Sequence, residues 1–455
     1  MTTLTVTARA PSATATGALL GALVAPGALG ASTTAIALPS IAADLGLAGG
    51  QAVWILAGYM LAAAMAVPVL GRLGDMRGIR AVLLAGAASA AAGSLLATFA
   101  GSFAVLLAAR LLQGAAFGAL PVAAFAIVAT RFSGVERVAA LGSMTAVLSI
   151  VSGSGTLIGG VLTDVASWHV VVLLPALSLL PLAAVLPLAS DEGNPDARLD
   201  TVGALIVAAL ASSLVLLLET PSVDFATWLI AALALVAVAA ATATVRRVRT
   251  RPDGFVPPAV VASRRFVLGT LAAMSLFCSY LAMLYAAPLM LLREHDWTTT
   301  EIGLVPLPAA VMGAVASRVA ARLNATHDPF RVTAVLAAAA AAGLLIGGLG
   351  AGAPVTTSLA LGLVLGGFAA SQGGLVARVP MAVDPGVRNV ATGLFQLCSL
   401  LGGAMGSAAV VGLSDPLGLP GAVAVVAAVP AAGALLALAA GRAAAAVSAP
   451  APSAG

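Results

Sequence analysis

Charge is what this chain has least of. Only 8% of its 455 residues are Asp, Glu, Lys or Arg, against roughly 25% in soluble domains. So few charges cannot clothe a surface in water, so lipid must be the solvent for most of the chain. Lysine is absent, and all 21 basic residues are Arg. The two cysteines, Cys278 and Cys398, lie far apart in apolar runs, a spacing that suits neither a disulfide framework nor a zinc site and implies free, buried thiols. The three histidines, His169, His295 and His327, fall near expected loops. No Ser-His-Asp set, H-E-x-x-H pair or phosphate-binding G-x-x-x-x-G-K-(S/T) loop occurs, which argues against an enzyme and leaves no expected cofactor or metal. Carboxylates are missing from the interiors of the apolar runs: Asp44, Asp164, Glu219 and Asp415 all sit near their ends.

What is present is apolar, with 61% hydrophobic residues and a mean hydropathy of +1.10. A bilayer core needs roughly 20 apolar residues per helical crossing. Hydropathy with loop punctuation predicts fourteen spans, at 19–41, 52–70, 81–100, 103–129, 138–163, 169–189, 202–219, 226–244, 266–291, 302–321, 332–350, 355–377, 389–412 and 420–440. The first run is too long for a signal-peptide core and reads as an uncleaved span. With both termini in the cytoplasm, 19 of the 21 arginines fall on that side or at its interface; Arg293 falls outside and Arg110 lies inside the fourth span. This asymmetry follows the positive-inside rule and explains the pI of 9.8 without invoking nucleic acid. An acidic linker (190–200) and a basic one (245–265) divide the chain. The expected units are 1–189 with six spans, 190–265 with an extra pair, 266–442 with six spans, and a disordered tail at 443–455.

The chain is organised around Gly71-Arg72-Leu73-Gly74-Asp75-Met76-Arg77-Gly78-Ile79-Arg80, a charged turn between two uncharged runs. It resembles the loop signature of the major facilitator superfamily, G-x-L-(A/G)-D-R-x-G-(R/K)-(R/K), matching at Gly71, Leu73, Gly74, Asp75, Gly78 and Arg80. Met76 and Ile79 depart from it. The six-two-six layout is similar to the fourteen-span drug:proton antiporter branch of that superfamily.

Five further stretches carry the resemblance. Residues 30–41 end as the branch's first-span signature does, in Ala37-Leu38-Pro39-Ser40-Ile41, but Gly30 replaces its Asp and Ala35 its Asn. That Asp is a candidate proton site in the family, so its absence bears on coupling. Ser32, Thr33 and Thr34 keep polar character; they either bond back to helix carbonyls or meet substrate. Trp54 and Tyr59 resemble the W-x-x-x-x-Y start of the second span, as interfacial anchors or as part of an external gate. Arg110, Gln113, Gly114, Phe117 and Gly118 resemble R-x-x-Q-G-x-G-x-A, and Arg110, Gln113 and Phe117 share one helical face. Arg110 is a candidate for substrate binding or coupling, or else snorkels or caps carbonyls. Gly153-Ser154-Gly155-Thr156-Leu157-Ile158-Gly159-Gly160 resembles the antiporter signature G-x-G-P-x-x-G-G, with Thr156 in place of Pro. Asp164 to His169 resembles D-x-x-S-W-R, with His169 in place of Arg.

The later spans are read by pattern. Phe277 and Tyr280 suit an adaptable apolar cavity or plain helix packing; Ser371, Gln372 and Gln396 are isolated polar residues in apolar runs. The resemblance implies an all-α membrane protein of the major facilitator fold, two six-helix bundles plus a central helix pair, with spans 1, 4, 9 and 12 lining a cavity. The expected function is export of a hydrophobic or amphipathic, antibiotic-like small molecule by proton antiport with alternating access, as a monomer in the bacterial plasma membrane. The expected substrate contacts are Ser32, Thr33, Tyr59, Arg110, Gln113, Phe117, Phe277, Tyr280 and Gln396. Gly71, Asp75, Arg77, Arg80, Gly155, Gly159 and Gly160 are expected to govern gating. The alternatives are an uncoupled facilitator and a non-transporting scaffold or receptor.

Overall fold

The computed structural model describes residues 12–448, apart from 48, 194–199, 219, 221–225, 252–253, 295–300, 302–303, 351–352 and 385–386; side chains at 49, 50, 53, 68, 75, 156, 292–294, 373, 377, 389 and 444–448 are likewise outside the description. Of the tail expected to be disordered at 443–455, residues 443–448 are helical and 449–455 lie outside the described residues, as does Glu219. Every described element is helical.

The first helices are α1 (Ala13–Asp44), α2 (Gly49–Arg77), α3 (Ile79–Thr98), α4 (Phe103–Arg131), α5 (Gly134–Gly153) and α6 (Gly155–Val165). The expected span 138–163 is thus two helices. The break falls at Ser154, between two glycines that hold a helix poorly. The next apolar stretch, Trp168–Leu188, is irregular. It comprises α7 (Trp168–Leu173), a 3-10 segment (Leu174–Leu179), α8 (Leu182–Val185) and a second 3-10 turn (Leu186–Leu188). Pro175, Pro181 and Pro187 each remove a backbone donor there, so a continuous α-ladder cannot form.

Then come α9 (Thr201–Leu218), α10 (Thr227–Thr250), α11 (Pro258–Ala262), α12 (Arg264–Glu294), α13 (Pro306–Thr326), α14 (Pro329–Leu349), α15 (Pro354–Arg378), α16 (Arg388–Val426) and α17 (Ala428–Ser448). Twelve stretches among the described residues are long and apolar enough to cross a membrane. The twelve leave out α13, which carries Arg318 and Arg322. They also take Val390–Ala443 as one stretch of 54 residues, although its backbone leaves helical geometry at Gly418 (φ 70°).

Helices α1–α8 pack among themselves, as do α12–α17. The groups meet along two seams, α5 against α13 and α15, and α2 against α16. Helix α9 lies on both α2 and α16, and α10 packs on α9. At the end carrying 71–80, one continuous core runs through both groups, from Leu20, Val82 and Ile127 to Phe330, Val379 and Phe395. At the opposite end the cores are separate: Ile41, Ile55, Leu106 and Trp168 in the first group, and Met283, Met290, Leu344 and Val423 in the second.

Candidate functional site

The first group is built around α4. Arg110 is fully buried, and it is the one Asp, Glu, Arg or His side chain in the buried class among the described residues. Its guanidinium donates from Nη1 to Gln113 Oε1 (2.8 Å), from Nε to the Ile55 carbonyl (3.3 Å) and from Nη2 to the Gly30 carbonyl (3.5 Å). Its Cζ lies 4.1 Å from the centre of the Tyr59 ring, a cation–π contact that is stronger when desolvated. Gln113 Nε2 donates to Ser94 Oγ (3.0 Å) and to the Val172 carbonyl (2.7 Å). Tyr59 donates its hydroxyl to the Gly27 carbonyl (2.7 Å) and stacks on Phe117 at 5.5 Å. One arginine and one glutamine thus tie α4 to α1, α2, α3 and α7.

Small residues permit this convergence. A Cβ at Gly114 would overlap the Tyr59 carbonyl, and one at Gly93 would come 2.9 Å from Gln113 Cγ. The buried hydroxyls of α1 bond backwards along their own helix: Thr33 donates to the Leu29 carbonyl (2.8 Å) and Thr34 to that of Gly30 (2.6 Å), while half-buried Ser32 donates to Leu29 (3.1 Å). A Cβ at Gly155 would overlap Ser32 Oγ, and one at Gly159 would lie 2.8 Å from Thr33 Cα, so α6 rests directly on α1. Gly160 is buried beside them. Gly30 faces the second element of span 6, where an added Cβ would overlap the Pro175 ring.

The 71–80 stretch sits at the seam between the groups, and the expected turn shrinks to Gly78 alone, with 71–77 ending α2 and Ile79 beginning α3. Gly71 and Gly74 line a small crevice with Thr392 of α16. Gly78 takes φ 83°, a left-handed conformation that favours glycine, and a Cβ there would lie 2.7 Å from the Asp191 carbonyl carbon. Arg80 pairs with Asp191 (2.8 Å), and its amide donates to the Ser190 carbonyl (3.1 Å). Arg77 is exposed; the Asp75 side chain lies outside the described residues. At the opposite end, Trp168 Nε1 donates to Asp44 Oδ2 (3.0 Å), and His169 stacks on Trp168 at 3.6 Å.

In the second group, three near-parallel aromatic rings stack. Phe277 and Phe368 are 4.6 Å apart at 12°, Tyr280 and Phe368 5.3 Å at 3°, and Phe277 and Tyr280 6.1 Å at 15°. Gln372 Oε1 and Gln396 Nε2 are buried with no hydrogen-bond partner. Sequence reasoning found Phe277, Tyr280 and both glutamines but missed Phe368 and Ser94. Phe368 was within reach: it stands four residues before Gln372, on the same helical face. Ser94 had no signal, because only the packing of α3 on α4 gives it Gln113.

The Major Facilitator Superfamily family model matches residues 18–407. The chain is 32% identical over 403 residues to the cephamycin export protein CmcT of Amycolatopsis lactamdurans, covering 83% of this chain and 80% of the relative. It is 28% identical over 394 residues to the tetracenomycin C resistance and export protein of Streptomyces glaucescens, covering 84% and 72%. Among solved structures, the human organic anion transporter MFSD10 (TETRAN) superposes with a TM-score of 0.64 at 19% identity, covering 93% of this chain and 98% of that one.

Proposed function

Because this chain belongs to the major facilitator superfamily, and is therefore a multi-pass membrane transporter and not an enzyme, we propose that it exports an antibiotic-like small molecule by alternating access. The observation that carries this reading is the asymmetry of the cores. The two groups share one apolar core at the arginine-rich end and keep separate cores at the other. That is the arrangement expected of two rigid bodies closed on one face and able to part on the other. The export relatives, at 32% and 28% identity, support the direction and the class of cargo. Everted membrane vesicles test it: energised vesicles carrying the protein should accumulate members of an antibiotic panel, and vesicles lacking it should not.

The same reading places fourteen crossings. A stretch of 54 residues would be about 80 Å of helix, far more than a core of about 30 Å needs, and the break at Gly418 divides it. Helix α13 packs against α5 and α15, presents an exposed apolar stripe at Val311, Val315 and Val319 that suits lipid, and carries its arginines towards one end. Both termini then face the cytoplasm, with α1–α8 and α12–α17 as the moving bodies of a monomer and α9–α10 as the extra pair.

Proton antiport is the leading energy source, by likeness to the branch. A second reading, an uncoupled facilitator, is favoured by the packing at Gly30. The side chain that would carry the family's carboxylate would run into Pro175, and no described Asp or Glu is buried. Collapsing the pH gradient with a protonophore separates the two: antiport predicts that accumulation stops, whereas a facilitator equilibrates its cargo unchanged.

A further inference from the structure

The interior of this protein is electrostatically lopsided. Arg110 is fully buried, and its partners are the Gly30 and Ile55 carbonyls, the Gln113 amide and the Tyr59 ring. All of these are neutral. A guanidinium does not lose its proton in proteins, so the charge stays, and no described carboxylate touches it. No described Asp or Glu is buried; Asp44, Glu136, Asp164, Asp384 and Asp415 are exposed, near helix ends. The spanning core therefore holds fixed positive charge and no described negative charge. On the other side of the seam, Phe277, Tyr280 and Phe368 form a stack of near-parallel rings. Phe277 and Phe368 stay half-buried. One helical turn from Phe368, Gln372 is 7% exposed and its Oε1 is unpartnered; Gln396 Nε2 is unpartnered on α16. A buried amide without a partner costs free energy unless a ligand or water supplies one.

From this we infer that the transport site selects flat aromatic compounds that are neutral or anionic and rejects cations of the same shape. The inference rests on the export reading for its setting, but it is a statement about binding. The aromatic stack holds a planar ring system by face-to-face or offset contact. Gln372, one helical turn from Phe368, offers an unpartnered acceptor to a polar group on its edge, and Gln396 adds an unpartnered donor on α16. The uncompensated Arg110 sets the sign of the field, and such fields reach far in a protein interior: at an effective dielectric of about 20, two unit charges roughly 12 Å apart interact strongly enough to shift an affinity about tenfold. An anion gains by that amount, a cation loses by it, and nothing described in the core offsets the loss.

Three probes of one shape test this with the purified full-length protein: acridone (neutral), acridine-9-carboxylate (anionic) and 9-aminoacridine (cationic at neutral pH). Titration by their own fluorescence is expected to rank the carboxylate and acridone at least about tenfold tighter than 9-aminoacridine. The Gln372→Glu variant, which adds a carboxylate beside the stack, is expected to raise 9-aminoacridine affinity about tenfold. Phe368→Leu is expected to weaken all three together, roughly two- to tenfold. Binding of 9-aminoacridine as tight as that of acridone overturns the inference, as does failure of all three to bind while vesicles still export other compounds. The expected ranking without any movement across vesicles would uphold the inference and sink the export reading instead.

Discussion

At the scale of single residues, Arg110 decides most. An arginine at a helix centre costs about 2.5–3.5 kcal/mol to insert even on the mildest scale. Here three hydrogen bonds and an aromatic face offset that cost. Lysine in its place would keep the charge but lose the planar fork, so Arg110→Lys is expected to destabilise the detergent-solubilised protein by about 3 kcal/mol, read as a lowered unfolding midpoint. Gly30 is decided by steric contact. Gly30→Ala is expected to cost about 1–3 kcal/mol because its Cβ overlaps the Pro175 ring. Adding Pro175→Ala should recover much of that loss, a non-additivity that a double-mutant cycle in thermal unfolding would measure.

At the scale of elements, the α9–α10 pair has its own fastening. Asp200 precedes α9 and accepts from the Gly203 amide (3.0 Å), from the Phe255 amide (3.0 Å) and from both ends of the Arg247 guanidinium, Nε at 2.8 Å. One carboxylate thereby holds the start of α9, the end of α10 and the strand of chain leading to α11. The Arg247 hydrogen bonds, with help from the two amides, hold this carboxyl below its usual range. A depressed folded pKa stabilises above the unfolded value and is lost as pH falls. The fastening should therefore be fully present above about pH 4 and weaken only in stronger acid. Limited proteolysis near 251–256 is expected to be slow at pH 7 in the parent and fast in Asp200→Asn, whose cleavage should be the same at pH 3 and pH 7.

At the scale of the molecule, the seams are the moving parts. Phe99 and Val355, 77% and 80% exposed, lie at the end where the cores are separate, whereas Val135, 70% exposed, begins α5 at the end where they merge. Spin labels at Phe99→Cys and Val355→Cys, with Cys278 and Cys398 replaced, should report two distances whose populations shift when cargo is added. A single distance under all conditions would oppose alternating access.

Hydropathy located most of the helices from the sequence alone, though not the break at Ser154 or the irregular Trp168–Leu188, because lipid imposes a length and an apolar composition on every crossing; arginine positions suggested a polarity. The motifs also marked Arg110, Gln113 and Tyr59 as residues of note. Their partners were not legible: Ile55 and Gly30 lie 55 and 80 positions from Arg110, and nothing local in the sequence encodes such a contact. The same holds for Phe368 in the ring stack, for Pro175 filling the space beside Gly30, and for α9 lying across both halves. Composition fixed that this chain lives in a bilayer and carries almost no internal charge. Only the packing of distant helices decided that Arg110, the one buried charge among the described residues, meets only neutral partners, because compensation depends on which side chains meet, and that is a property of three dimensions.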